Sequence, residues 1–206
     1  MPIALPDSWD LQRLAEHLED DGYVRVDDRP RAHLASRFLR WTRGDTTITA
    51  VDDHLAGYLV LHAETTEVES QGLTVVDAGT PERALRDRLG GRTVDDALPL
   101  LVDADPVVRL RGVQLVGALS LHGIAPPPQG FDALFGDPSL PVRMAAHRVA
   151  FRASWVQVAD AMAEAAAAEA DPEVADAMRA WRPQRPEELA ERTVAAHRAS
   201  TLLAIE

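Results

Sequence analysis

The chain has no cysteine and no lysine, and only 5% of its 206 residues are aromatic. Without cysteine there are no disulfides, no thiolate metal ligands and no cysteine nucleophile, and the cytoplasm is the expected compartment. Long apolar runs are missing too: no stretch approaches the roughly 18 apolar residues that a membrane-spanning helix needs. The opening Met1-Pro2-Ile3-Ala4-Leu5-Pro6-Asp7 has neither a basic region nor a long apolar run, so no secretory signal is expected.

Catalytic patterns are equally scarce. There is no Walker loop, no dinucleotide-binding glycine pattern, no zincin pair and no serine elbow. The acid pairs Asp20-Asp21, Asp27-Asp28, Asp52-Asp53 and Asp95-Asp96 fall at predicted element ends or first turns, where aspartate serves as a cap or turn residue. The seven histidines show no metal-ligand spacing: His54 and His62 are too far apart on one predicted strand, and His122, His147 and His197 sit in separate elements. No catalytic residue, metal or cofactor is therefore expected. Arg43-Gly44-Asp45 spells an adhesion tripeptide but reads as a hairpin turn.

What is present is apolar residue and acid. With 46% hydrophobic content the chain can bury a sizeable core without staples. All positive charge comes from 21 arginines, set against 33 acids, for a formal net charge of −12. Arginine without lysine, with abundant alanine, points to a GC-rich bacterial genome. Counted by region, 11 basic residues face 19 acidic ones over 1–100, and 10 face 14 over 101–206. This balance opposes general attraction to duplex DNA or acidic lipid and suits a basic protein partner. Solubility is the alternative reason for the charge.

The periodicity changes along the chain. Leu11, Leu14, Ala15 and Leu18 make a helical stripe that Asp7 can cap and Gly22 can close. Alternation then predicts strands over 23–26, 37–42, 46–51, 55–63 and 73–76, with a turn at Asp28-Arg29-Pro30 and a polar segment over 64–72. Thr80-Pro81 opens a helix that ends near Gly90-Gly91. The expected organisation is an α+β module over 1–79, a helix and a small antiparallel meander, followed over 80–206 by an α-helical array.

That array rests on one repeated statement, a helix cap, a proline and an apolar run. The openings are Asp105-Pro106-Val107-Val108-Arg109, Ser139-Leu140-Pro141-Val142-Arg143 and Asp171-Pro172-Glu173-Val174-Ala175. Aligned on Val108, Val142 and Val174 they lie 34 and 32 residues apart, a helical-repeat spacing. Each opening follows a shorter predicted helix, over 94–103, 130–135 and 155–169, the last opened by a Ser154/Gln157 capping box. Pro99 is expected to bend the first of these, and 123–130, with Pro126-Pro127-Pro128, to run extended. A helix over 187–203 with Leu189, Val194 and Leu202 is expected to cap the end.

These residues resemble the HEAT or HEAT-like family over about residues 93–181, whose second helix often opens with aspartate-proline-x-valine-arginine. Asp105, Pro106, Val108 and Arg109 match, and Val142 with Arg143 match behind a substituted cap. Ala175 stands where arginine would be, which fits a terminal or degenerate repeat. The resemblance implies stacked helix pairs and an interaction scaffold, although some such proteins bind nucleic acid or remove damaged bases. Should the second helices line a concave side, Arg109, Arg111, Arg143, Arg148 and Arg152 concentrate positive charge there, with Arg179, Trp181, Arg182, Arg185 and Trp155 nearby. Arg111, Arg148, Arg152, Trp155, Arg179 and Trp181 are the expected partner-binding residues, since arginine with tryptophan suits carboxylates, phosphates or bases. The competing assignment has Arg109 and Arg143 tying repeats to acidic caps and the tryptophans packed. The expected function is a non-catalytic protein-interaction module: an acidic bacterial adaptor, inhibitor or immunity-type protein. The alternative is a HEAT-like nucleic-acid binder or base-excision protein similar to the alkylpurine glycosylases, with Trp155, Trp181 and Asp160 handling a base.

Overall fold

In the first half, side chains of alternating character make an antiparallel sheet with one strongly apolar face. The computed structural model describes residues 2–31, 36–53, 57–68, 74–77, 79–120 and 126–181. The strands are β1 (Ile3–Ala4), β2 (Val24–Arg31), β3 (Ser36–Arg43), β4 (Thr46–Asp53), β5 (Tyr58–Val68) and β6 (Thr74–Asp77). The helices are α1 (Leu11–Asp20), α2 (Gly79–Leu89), α3 (Val94–Leu101), α4 (Pro106–Ser120), α5 (Leu140–Arg152), α6 (Ala159–Ala168) and α7 (Pro172–Ala180). Strands β2 to β6 run as an antiparallel meander, ordered β1-β5-β4-β3-β2 across the sheet, with β6 also pairing with β5.

The register explains the core. Trp41 pairs with Ile48 and Ile48 with Ala63, while Leu39 pairs with Ala50 and Ala50 with Leu61. A period of two therefore puts all six on one face, where Leu14, Ala15 and Leu18 of α1 and Leu85 and Leu89 of α2 close over them. Gly44, at φ +55°, turns the chain in the two-residue hairpin between Arg43 and Thr46.

Several boundaries differ from those expected. Helix α1 is capped by Asp10, whose Oδ1 accepts from the Arg13 amide at 2.8 Å, and not by Asp7. Trp9 accounts for this: its indole N–H donates to the Leu89 carbonyl at 3.1 Å, which holds the chain before Asp10 against α2. Gly22, at φ +83°, does close the helix, and the Tyr23 amide donates back to the Leu18 carbonyl. Asp28, Arg29 and Pro30 lie within β2 and form no turn. β2 is the last strand in the order, the place in a sheet where proline is tolerated. Strand β5 continues through Val68, well into the segment read as polar connection, because β6 pairs with residues 65–68. The two-residue β1, which pairs with Val60 and Leu61, is too short to leave a pattern in sequence.

In the helical half, helices follow one another as expected, but Ser154 does not cap the third partner helix. It takes a left-handed φ of +55°, and a short 3-10 turn, Val156–Val158, precedes α6. The second partner element is likewise a 3-10 helix, Phe131–Gly136. The chain divides into two compact units, 1–128 and 129–206. The expected boundary after residue 79 falls inside the first, where Ala118 of α4 packs with Val60 and Tyr58 on the second face of the sheet. The expected capping helix over 187–203, together with Arg182, Arg185, His54, His122 and His197, lies outside the described residues.

Helices α3 and α4 approach closely at Gly112. A Cβ there would stand 2.9 Å from the Leu100 Cβ and 3.1 Å from its carbonyl carbon, so backbone as well as side chain would have to shift. Gly112→Ala gains roughly 1 kcal/mol of helix propensity against an overpacking cost of about 1–3 kcal/mol. A net loss of about 1 kcal/mol in urea unfolding is the expected outcome. A stabilised Gly112→Ala protein would show that the contact is not tight.

Candidate functional site

Helix α5 is held in place from its first turn. The Asp137 carboxylate accepts from the Ser139 amide at 2.8 Å, satisfying a backbone donor just before the helix. Arg143 reaches back over that turn, its Nη1 donating to the carbonyls of Asp137 at 2.8 Å and Pro138 at 3.3 Å. Through Nε and Nη2 it also grips Glu169 at 3.1 and 2.7 Å, two side chains that are only 19% and 10% exposed. Glu169 in turn accepts from the amides of Ala170 and Asp171 with its other oxygen. These bonds, first of all the one from Arg143, hold the Glu169 carboxyl below the usual range.

The same device stands at the start of α4. Asp103 accepts from the Asp105 amide at 2.8 Å, and Arg109 donates to the carbonyls of Asp103 and Ala104 at 2.7 and 3.0 Å. Ahead of α7, Glu169 takes the position of Asp103 and Asp137, and Asp171 caps with Oδ1 at 2.9 Å from the Glu173 amide. The acids at 103, 137 and 169 keep the 34- and 32-residue spacing of the valines, a signal in the sequence that cap, proline and valine alone do not use.

Below α5 lies an aromatic core. Phe131 meets Phe135 edge-on at 6.0 Å and Trp155 at 5.1 Å, and Phe135 meets His147 at 4.8 Å. Trp155 is only 3% exposed, so its ring belongs to this packing and is not offered to a ligand. His147 is fully buried, with Nδ1 donating to the Arg143 carbonyl at 3.0 Å and Nε2 standing 3.4 Å from the Met162 carbonyl. Burial pushes its basicity below the histidine value of 6.5, against the pull of both carbonyls.

With Val142, Ala145, Ala146, Val149 and Ala150 buried, α5 has a narrow outer arc. At about 100° per residue, Leu140, Met144, Arg148, Phe151 and Arg152 share roughly 120° of it. Leu140 is 40% exposed and Phe151 44%, while Met144, Arg148 and Arg152 are half-buried. Among the expected residues, then, Arg148 and Arg152 stand one turn apart on this arc, Trp181 is half-buried at the end of α7, and Arg179 is paired with Asp176 at 2.5 Å. Arg111 is exposed on α4, in the first unit. Leu140, Met144 and Phe151 were not among the expected residues, although apolar positions at helical spacing outside the buried set are visible in the sequence.

Two other features of the first unit stand apart. A groove of about 370 Å³ is floored by Leu11, Ala15 and Leu39 and rimmed by Arg25 and Arg37, but these arginines are already bound to Glu19 and Asp28. His62 on β5 contacts the buried carboxylate of Glu82 at 2.5 Å, and its Nε2 lies 3.8 Å from Glu64. The hydrogen bond to Glu82 raises the His62 pKa above 6.5. None of the protein-family models matches this sequence, and neither a curated protein nor a solved structure is similar to it.

The two histidines give opposite pH dependence. His62 binds its proton more tightly folded than unfolded, so its stabilisation is complete below 6.5 and fades as pH rises through the raised value. His147 is held neutral, so its unit loses stability as pH falls below 6.5. In an NMR titration His62 should therefore protonate above 6.5 and return toward it in Glu82→Gln, while His147 should protonate below 6.5. Titration of both near 6.5 would refute the two assignments.

Arg143→Ala should lower the urea midpoint of the second unit more than Glu169→Gln does. The first change strips donors from two carbonyls and leaves Glu169 without its guanidinium, whereas the second keeps a polar acceptor. Equal effects would mean that the carbonyl bonds contribute little.

Proposed function

We propose that this chain is a non-catalytic protein-interaction module, an acidic adaptor, inhibitor or immunity-type protein, whose helical second half is HEAT-like and offers the outer arc of α5 to a protein partner. The observation that carries the reading is the arc itself: Leu140 and Phe151 lie open on a helix whose other side buries Val142, Ala145, Ala146, His147, Val149 and Ala150. Large apolar side chains beside arginine are characteristic of the centres of protein interfaces. The matching arginine-to-carbonyl bonds ahead of α4 and α5 support the HEAT-like assignment, because one repeated sequence phrase performs one repeated local task. Nucleic-acid handling has weaker support, since Trp155 is packed against Phe131. No helix among the described residues is long and apolar enough to cross a membrane. The reading includes a cytoplasmic location, with which a cysteine-free composition is compatible.

Quantitative affinity capture from the host tests this, with the wild-type chain and the Arg148→Glu/Arg152→Glu variant compared side by side. A protein enriched by the first and depleted at least ten-fold by the second is expected. Identical captured sets would remove the arc from the interaction, and recovery of nucleic acid in place of protein would favour the other class.

A further inference from the structure

Acid and exposed apolar surface meet at the turn between α3 and α4. From Thr93 to Val108 the chain carries Asp95, Asp96, Asp103 and Asp105 and no basic residue. Over the same stretch Val102 is 83% exposed, Val107 56% and Leu98 39%. At about 100° per residue, Leu98, Val102, Asp95 and Pro99 fall within roughly 100° of one another on the outer side of α3. Ala97 and Leu101 are buried on its other side and Leu100 lies against Gly112 of α4, so α3 does not rotate to cover them. The outcome is an apolar strip with a carboxylate at each end, Asp95 one turn before Leu98 and Asp103 just after Val102. These charges are not neutralised within the fold. Asp103 and Asp105 each spend Oδ1 on a neutral amide, of Asp105 and Val107, which leaves the carboxylate its charge. Asp95, Asp103 and Asp105 are exposed and form no ion pair among the described residues. Asp96 turns back onto the Thr93 amide and hydroxyl, and Arg92 acts on it there. Arg109, the next basic residue along the chain, is half-buried and donates to the carbonyls of Asp103 and Ala104.

We infer that this strip receives a basic amphipathic helix of a partner protein, with the partner's apolar stripe on Leu98, Val102 and Val107 and its lysines or arginines on Asp95, Asp103 and Asp105. It is a second surface, on the first unit, and goes beyond the reading of α5. A helix seated in this way matches apolar residues to the strip and cations to both of its ends. A second copy of the chain would bring the same carboxylates against themselves, so self-pairing is opposed. Because screening limits the reach of exposed charge to about 8–10 Å at ordinary ionic strength, a docked helix is held by these local acids and not by the net charge as a whole.

Two synthetic helical peptides with the same leucine stripe, one flanked by lysines and the other by glutamates, test this on the full chain. The lysine peptide should bind and shift the methyl resonances of Val102 and Val107, and the glutamate peptide should not bind. Asp95→Asn/Asp103→Asn/Asp105→Asn should weaken the lysine peptide at least ten-fold, and asparagine keeps a side-chain carbonyl for both cap bonds. Asp132→Asn/Glu164→Gln/Glu173→Gln removes the same charge from exposed positions elsewhere and should leave the affinity unchanged. Val102→Ser, at a side chain too exposed to matter for folding, should weaken binding several-fold. Failure of the lysine peptide to bind, equal binding of the two peptides, equal effects of the two triple variants, or binding that leaves Val102 unmoved would each overturn the inference. So would a dimer in sedimentation that Val102→Ser dissolves, since the strip would then belong to a second copy. Host capture through α5 and peptide binding at α3 are separate readouts, so either reading can fall without the other.

Discussion

The orientation of α5 depends on a single guanidinium. A helix entered through a tight turn leaves carbonyl oxygens on the preceding loop with no partner in the helix, and in a half-buried loop these must be satisfied. Arg143 satisfies two of them and uses its remaining donors on Glu169, which itself ties down the amides before α7. One side chain thus joins the start of α5 to the turn between α6 and α7. With that corner tied and Val142, Ala146 and Val149 in the core, the helix cannot rotate without breaking either set. The outward direction of Leu140, Arg148 and Phe151 is a consequence.

Scarcity of aromatic residues sharpens the second constraint. Only 5% of the chain is aromatic, and Phe131, Phe135 and Trp155 are gathered in one place beneath α5. The imidazole of His147 enters that cluster as its polar member, and the carbonyls of Arg143 and Met162 receive it. A neutral ring has one N–H to give, and the shorter contact, to Arg143, takes it. The same carbonyl belongs to the residue that anchors the helix start, so packing and capping meet at one peptide group.

Legibility followed the kind of interaction. Faces set by a strict period could be read directly: Leu14, Ala15 and Leu18 on α1, or Leu59, Leu61 and Ala63 on β5, reach the core because periodicity is a local property. Boundaries set by a distant partner could not. Asp10 rather than Asp7 caps α1 because Trp9 is bound to Leu89, 80 residues away in sequence. β5 runs through polar residues because β6 pairs with it. On α5, Arg148 and Arg152 are legible in the sequence as charges one turn apart on a predicted helix. The sequence leaves Trp155 between a partner-binding and a packed place, because its exposure depends on Phe131, which no local pattern reveals. The outward place of Leu140 and Phe151 is not legible there, because apolar residues on a helix are ordinarily assigned to its buried side.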